Sequence, residues 1–322
     1  MGIGQRPAVG LSRVAVRLPR RLEPVEDILV RAGRDAMERK MFARIHGLRT
    51  SPTLAPGERM EDLLVAAGRD ALGGGGAGTI LYGHTMLTQE FGLRGGFPDR
   101  LRERLGLPDA GFFGLSHVNC TSVLRAVDLA RRHLSRPDGR PGDRVLVLGG
   151  DHGSVDAHSR VIPGMAVGGD AAVGVVVHAG PGLRYRLLGS ATGRDARFHR
   201  NLRMTPDEAS LFSKVCCEGT VRTIQRAAAD AALSAEALDW VLPHLSNRMF
   251  WGMVAKRAGI AKDRICLDLI PEYGHNFGGD ALMALEHADR TGRLRPGDRC
   301  ALVSLAQGAY FQAVIVEVED DS

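Results

Sequence analysis

The feature that most narrows what this chain can fold into is an internal repeat. Pro141-Gly142-Asp143-Arg144 recurs as Pro296-Gly297-Asp298-Arg299, an offset of 155 residues. Upstream, TSVLRAVDLARRHL from Thr121 aligns at the same offset with NFGGDALMALEHAD from Asn276, and both keep apolar residues at helical spacing. Downstream, Val145 to Leu148 aligns with Cys300 to Val303, two short apolar runs that read as buried strands. Each copy is thus helix, Pro-Gly turn, buried strand and Gly-containing loop (Gly149-Gly150 in the first, Gly308 in the second). Two such units predict a duplicated α/β protein with pseudo-twofold symmetry. The chain's 322 residues suit two halves, since a domain averages roughly 150 residues. The expected division is 1–180 and 181–322, with the joint near Gly180 to Leu183.

Other segments agree with an α/β reading. Val25 to Arg39 and Met60 to Ala71 have amphipathic spacing, and Val173 to Val177 is a valine-rich strand. Gly73 to Gly78 is a loop, without the lysine and hydroxyl of a phosphate-binding loop. Hydrophobic content of 44% and charged content of 25% exclude the disordered and fibrous classes. No apolar run approaches the roughly 20 residues of a spanning helix, and the basic N-terminal stretch lacks a signal-peptide core. The expectation is a cytoplasmic protein, off the membrane. Cys120, Cys216, Cys217, Cys266 and Cys300 form an odd set without CxxC spacing, against a disulfide framework or a zinc site. His46, His84, His117, His152 and His158 have no metal-ligand spacing either, so no metal and no resident cofactor are expected. The net charge of +5 is spread along the chain without a dense basic run. That disfavours nucleic acid and is compatible with an acidic carrier protein or a phosphate-bearing thioester.

Cys120, in His117-Val118-Asn119-Cys120-Thr121-Ser122, opens an amphipathic helix. A thiol at a helix N-terminus feels the positive end of the dipole, which favours the thiolate. The repeat offset carries Cys120 onto His275, so both stand at the starts of equivalent helices. His275 lies on a Gly-rich loop with an acid, Asp280, five residues on, and a second histidine, His244, follows an apolar run in Pro243-His244-Leu245-Ser246-Asn247.

These residues carry a resemblance to the ketoacyl-acyl-carrier-protein synthase III branch of the thiolase superfamily, over nearly the whole chain. Pro243 to Asn247 is similar to the family's Pro-His-x-x-Asn motif, and Tyr273-Gly274-His275 to part of its Tyr-Gly-Asn loop. Pro296 to Gly308 resembles its C-terminal turn, strand and Gly loop, and Gly169-Asp170-Ala171-Ala172 an upstream Gly-Asp segment. The resemblance implies a thiolase-like fold, with duplicated βαβαβαββ halves in a five-layered αβαβα arrangement, and a homodimer. It also implies Cys120 as the acyl-accepting nucleophile, His244 as the first catalytic histidine, and an oxyanion hole from the backbone N–H groups of Cys120 and Gly308.

One departure bears on the reaction. Decarboxylative members carry Asn where this chain has His275, and His275-x-x-x-x-Asp280 looks like the relatives that acylate hydroxyl or amine groups in secondary metabolism. Asparagine cannot take a proton, whereas a neutral imidazole can deprotonate an attacking hydroxyl. The expected mechanism is therefore ping-pong: Cys120, supported by His244, takes the acyl group from a carrier-protein or coenzyme A thioester, and His275 activates the acceptor. Asp280 either hydrogen-bonds His275 or favours its helix, and Asn247 either supports the site or caps a helix. Carbon–carbon condensation, a non-catalytic partner subunit and a cysteine hydrolase remain alternatives. In Met41 to Arg49 the tryptophan of coenzyme A users is missing and Arg44 is an uncertain counterpart of their arginine. This favours a carrier-protein donor, whose acidic surface would meet Arg248, Lys256 and Arg257, or those residues form a solvated helix face.

Overall fold

The duplication is visible in the order of the strands. The computed structural model describes residues 7–86, 96–136, 142–200 and 203–320, so Pro141 of the first repeat lies outside the described residues. The chain opens with β1 (Val9–Leu11), β2 (Ala15–Arg17) and β3 (Arg21–Pro24), then α1 (Val25–Arg31), α2 (Ala36–Met41) and β4 (Thr50–Thr53). It continues through α3 (Met60–Leu72), β5 (Thr79–Gly83), α4 (Phe97–Leu105), β6 (Gly111–Leu115), α5 (Ser122–Leu134) and β7 (Arg144–His152). The short β8 (Val161–Ile162) and β9 (Ala166–Val167) precede β10 (Asp170–Ala179). The second half holds β11 (Tyr185–Arg194), α6 (Pro206–Asp230), β12 (Trp240–Leu242), α7 (Arg248–Ala258) and α8 (Ile270–Tyr273). It ends with α9 (Asp280–Arg290), β13 (Arg299–Ala306) and β14 (Tyr310–Val318).

The main sheet runs β12-β13-β14-β11-β1-β10-β7-β5-β6 and reads nearly the same from either end of its centre. β7 pairs parallel with β5 and antiparallel with β10, as β13 pairs parallel with β12 and antiparallel with β14. Val145 of β7 faces Thr79, and Cys300 of β13, one repeat later, faces Trp240. Where the first half has β6, the second has a bridge between Val241 and Ile265. The halves meet where β1 pairs antiparallel with both β10 and β11. The valine run lies inside β10, buried along nearly all its length, which is why it reads as continuous rather than alternating hydrophobicity.

Helices complete the layers. α3 packs on β7 and β10 with α4 against it, and α6 packs on β11, β13 and β14 with α7 against it. α5 lies between the halves, touching β5, β7 and β10 of one and β13 and β14 of the other, while α9 packs on β12 and β13. This is the αβαβα succession that the resemblance implies. The expected single helix from Val25 to Arg39 is instead two. Gly33 takes φ 67, a left-handed conformation that ends α1, and the Asp35 carboxylate accepts the Glu38 N–H at 2.8 Å to start α2. Gly83 lets α5 sit hard on the sheet: a Cβ there would lie 2.8 Å from the Val123 Cα. Among the described residues no helix is long and apolar enough to cross a membrane.

Candidate active site

Two elbows deliver the reactive side chains. Beyond β6 the chain turns through Asn119 at φ 50, then Cys120, and then enters α5. One repeat later Gly274 takes φ 56, followed by His275, a tight turn and α9. A left-handed residue therefore precedes the reactive one in both halves. Asparagine tolerates that conformation better than most residues, and Asn119 uses its amide as well, donating to the Gln307 carbonyl at 2.9 Å. The Ser304 hydroxyl of β13 donates to the Cys120 carbonyl at 3.1 Å. The second half thus holds the Cys120 backbone from behind.

His275 Nε2 lies 3.5 Å from Cys120 Sγ, and its Nδ1 donates to Asp280 Oδ2 at 2.7 Å. Asp280 is fully buried; its Oδ1 accepts the Asn276 N–H at 2.6 Å and its Oδ2 also accepts the Leu245 N–H at 2.8 Å. The same carboxylate therefore ties the His275 loop to the His244 loop. The His244 ring stacks 4.2 Å from that of His275, with its Nδ1 3.8 Å from Asp280 Oδ2. Trp251 Nε1 donates to the His244 carbonyl at 2.6 Å and fixes that backbone. His275 stands in hydrogen-bonding contact with the sulfur, and His244, the expected support, offers a ring nitrogen within 4.8 Å of it. The cause of the His275 contact is Asp280, whose bond to Nδ1 aims Nε2 at the thiol.

The two imidazoles are driven apart electrostatically. Burial works against a charged His275, yet the Asp280 carboxylate and the Cys120 sulfur outweigh it and push its pKa up to about 10. Burial, and then the charge of His275, hold His244 well below the ordinary histidine range. A neutral His244 beside a proton-holding His275 divides the roles of donor and proton carrier.

Sequence reasoning missed Thr85 and Asp151. The Thr85 hydroxyl lies 3.7 Å from Cys120 Sγ, and Asp151 Oδ1, at the end of β7, accepts the N–H groups of Thr85 and Met86 at 2.7 and 2.6 Å. Asp151 Oδ2 has no hydrogen-bond partner among the described residues, and burial pushes the carboxyl up to about 7. The available signal was an acid directly after a buried strand, in Gly149-Gly150-Asp151.

A cavity of about 230 Å³ opens over Cys120, His244 and His275. Its walls are mostly apolar, from Val161, Ile162, Met165, Phe212, Phe250 and Phe277. Leu305, Ala306 and Gln307 line it, and Gly308 follows in the same turn at φ 86. Asn247 caps α7, its Oδ1 accepting the Phe250 N–H at 2.8 Å, and its amide donates to the Met165 carbonyl at 2.9 Å in the cavity wall. Arg248 and Lys256 are exposed on α7 and Arg44 on the neighbouring turn, whereas Arg257 pairs with Glu218 at 2.9 Å. His117 lines a different cavity with Arg125, Arg194 and Tyr310.

Solved structures share this architecture. The acyltransferase ChlB3 superposes with a TM-score of 0.83 at 19% identity, over 98% of this chain and 99% of that one. The 3-oxoacyl-[acyl-carrier-protein] synthase III of Aquifex aeolicus VF5 does so at 0.81 and 17% identity, over 96% and 99%. The fold is therefore the one that these acyltransferase and synthase III structures share. In sequence, residues 228–318 match the family "3-Oxoacyl-[acyl-carrier-protein (ACP)] synthase III C terminal". The beta-ketoacyl-[acyl-carrier-protein] synthase III of Rhizorhabdus wittichii is 24% identical over 226 residues, 66% of this chain and 69% of that one. The C-terminal part of the chain is thus similar to the synthase III family, and the chain as a whole shares the fold of the solved synthase III structures.

Proposed function

We propose that this protein is an acyltransferase that carries an acyl group on Cys120 from a carrier-protein or coenzyme A thioester to a hydroxyl or amine acceptor in secondary metabolism. The observation that carries the reading is the His275–Asp280 pair, with Nδ1 bonded to the carboxylate at 2.7 Å and Nε2 3.5 Å from the sulfur. With His275 protonated and Cys120 ionised, the sulfur attacks the thioester carbonyl and a C–S bond to Cys120 forms. The old C–S bond breaks, and His275 gives its proton to the departing thiolate. Acylation removes the negative sulfur that held the imidazolium, so His275 is left neutral beside the acyl-enzyme. It then takes the proton of the acceptor hydroxyl or amine as that group attacks, and the thiolate–imidazolium pair is restored. The neutral His244 and the backbone N–H groups of Cys120 and Gly308 are the candidates to donate to the oxyanion. Arg248, Lys256 and Arg257 would meet an acidic carrier protein, and a homodimer is the expected assembly.

A second reading is decarboxylative carbon–carbon condensation, favoured by the names of the matching family and relatives. Intact-protein mass after incubation with acyl thioesters on carrier protein and on coenzyme A, beside Cys120→Ala, tests the covalent step. Subsequent supply of alcohol, amine or malonyl acceptors separates the two readings. Ester or amide product without carbon dioxide release supports transfer; a new C–C bond with carbon dioxide sinks it, and an unlabelled Cys120 removes both.

A further inference from the structure

The same three groups lie close enough together to be drawn onto one metal ion. Cys120, His244 and His275 each present one ligand atom, all within 4.8 Å of one another, and all three residues are buried. A tetrahedral zinc, with Zn–S of about 2.3 Å and Zn–N of about 2.0 Å, sets sulfur and nitrogen roughly 3.5 Å apart. Cys120 Sγ and His275 Nε2 already stand at 3.5 Å. Asp280, bonded to His275 Nδ1 at 2.7 Å, supplies the carboxylate that in zinc sites orients an imidazole and raises its basicity. The fourth position would face the apolar cavity, open to water or to a ligand.

We propose that Cys120, His275 and His244 form a binding site for a soft divalent cation of the zinc class, and that its binding blocks acylation of Cys120. Binding releases the proton on His275 Nε2 to solvent, and the metal and the thioester carbonyl then compete for the same sulfur, so the cation acts as a reversible inhibitor. Magnesium and calcium are excluded as occupants, because they take oxygen ligands. Asparagine in place of His275 would offer an amide rather than an imidazole nitrogen, so the site follows from the same residue that distinguishes this chain from decarboxylating relatives. Cysteine spacing gave no hint of it, since the three ligands come from segments far apart in sequence. The proposal goes beyond the acyltransferase reading and does not depend on the acceptor.

The test uses the full chain, stripped with a chelator and titrated with zinc. The readout is the rate at which iodoacetamide alkylates Cys120, followed by peptide mass. One equivalent of zinc is expected to slow alkylation at least about tenfold, with EDTA restoring it and magnesium having no effect. In His275→Asn the zinc concentration giving half protection should rise at least about tenfold, the scale on which supporting a zinc site matters. Unchanged alkylation in the wild type, or the same midpoint in the variant, overturns the site. Should the variant fold poorly, cobalt(II) bound to the wild type decides: a thiolate-to-cobalt charge-transfer band, lost in Cys120→Ser, is required, and its absence is fatal to the proposal. Acyl labelling measured in EDTA is untouched by these outcomes, so the failure of one reading is distinct from failure of the other.

Discussion

Cys120 and His275 stand at the same place in the two halves, one repeat apart, and their surroundings differ in the way that the proposed roles of nucleophile and proton carrier require. Both follow a left-handed residue and lead into a helix packed between the halves. In the second half Asp280 sits beside the reactive residue and drives its pKa upward. One repeat earlier the corresponding position is Arg125, which lines the other cavity. An acid beside Cys120 would oppose the thiolate, so the duplicated scaffold keeps its carboxylate on the half where positive charge is wanted. Duplication thus supplies two equivalent elbows, and divergence at the following helical turn assigns their chemistry.

The sharpest way to break that comparison is to remove the imidazole from the second elbow. His275→Asn is expected to slow acyl transfer to hydroxyl or amine acceptors by roughly 10²- to 10⁴-fold, the usual contribution of a positioned base. Acyl-enzyme formed before the acceptor is added should then persist in intact-protein mass spectra. Transfer at an undiminished rate would mean that His275 does not deprotonate the acceptor.

Asp280→Asn attacks the cause rather than the base, and on the order of 10²-fold is expected in turnover. The alkaline limb of the acylation rate should also move to lower pH, since His275 must hold the proton it gives to the leaving thiolate. The stability effect has a definite sign. A folded pKa of about 10, above the unfolded value, means that the stabilisation is fully present below ordinary histidine pKa values. It is lost as pH rises through about 10, so the stability gap between wild type and variant in urea should narrow there. A gap that stays constant with pH would show that the pair does not act through His275 protonation.

Asp151 is a smaller test of the first elbow. Asp151→Asn keeps an oxygen for the Thr85 and Met86 N–H groups but removes a buried charge whose second oxygen has no partner among the described residues. Because burial raises its pKa to about 7, the native carboxyl favours folding at low pH and loses that advantage as pH rises through 7. The variant should therefore be more stable than wild type above pH 7 and indistinguishable at acid pH. Acylation of Cys120 is expected to slow by about tenfold, the order of a modest hydrogen-bond change at the sulfur. Slower acylation without the alkaline gain in stability would place the effect in altered packing, not charge.

How much of this was legible follows from what kind of contact each residue makes. Cys120, His275 and Asp280 were readable because the repeat aligns two helix starts, and His244 because its motif resembles a family's. The strands around Val145 and Cys300 were readable because buried central strands are continuously apolar. Which histidine touches the sulfur was not readable, since the spacing left open whether Asp280 bonds His275 or only favours its helix, and it is that bond which aims Nε2 at the thiol. Thr85, just beyond β5, and Ser304 of β13 reach Cys120, and Asp151 of β7 holds Thr85; the adjacency of these strands exists only once the sheet has formed. The break between α1 and α2 was written in Gly33 and Asp35, but amphipathic spacing continues across it and masks the turn.

The two left-handed residues offer the finest discrimination between the halves. Gly274 combines φ 56 with ψ −147, a region open essentially to glycine alone, and a Cβ there would lie 3.1 Å from Leu48 Cδ2. Gly274→Asn should therefore cost about 1–3 kcal/mol in urea unfolding, by strain of that order. Asn119→Gly leaves the backbone at ease and removes only the amide bond to Gln307, for about 0.5–1.5 kcal/mol. The asymmetry follows from conformation rather than from the residue exchanged, since each substitution installs the side chain that its counterpart already carries. Equal costs at the two sites would mean that both elbows accept asparagine, and that Gly274 reflects close packing against Leu48 instead of backbone necessity; Leu48→Ala in the Gly274→Asn background would then recover most of the loss.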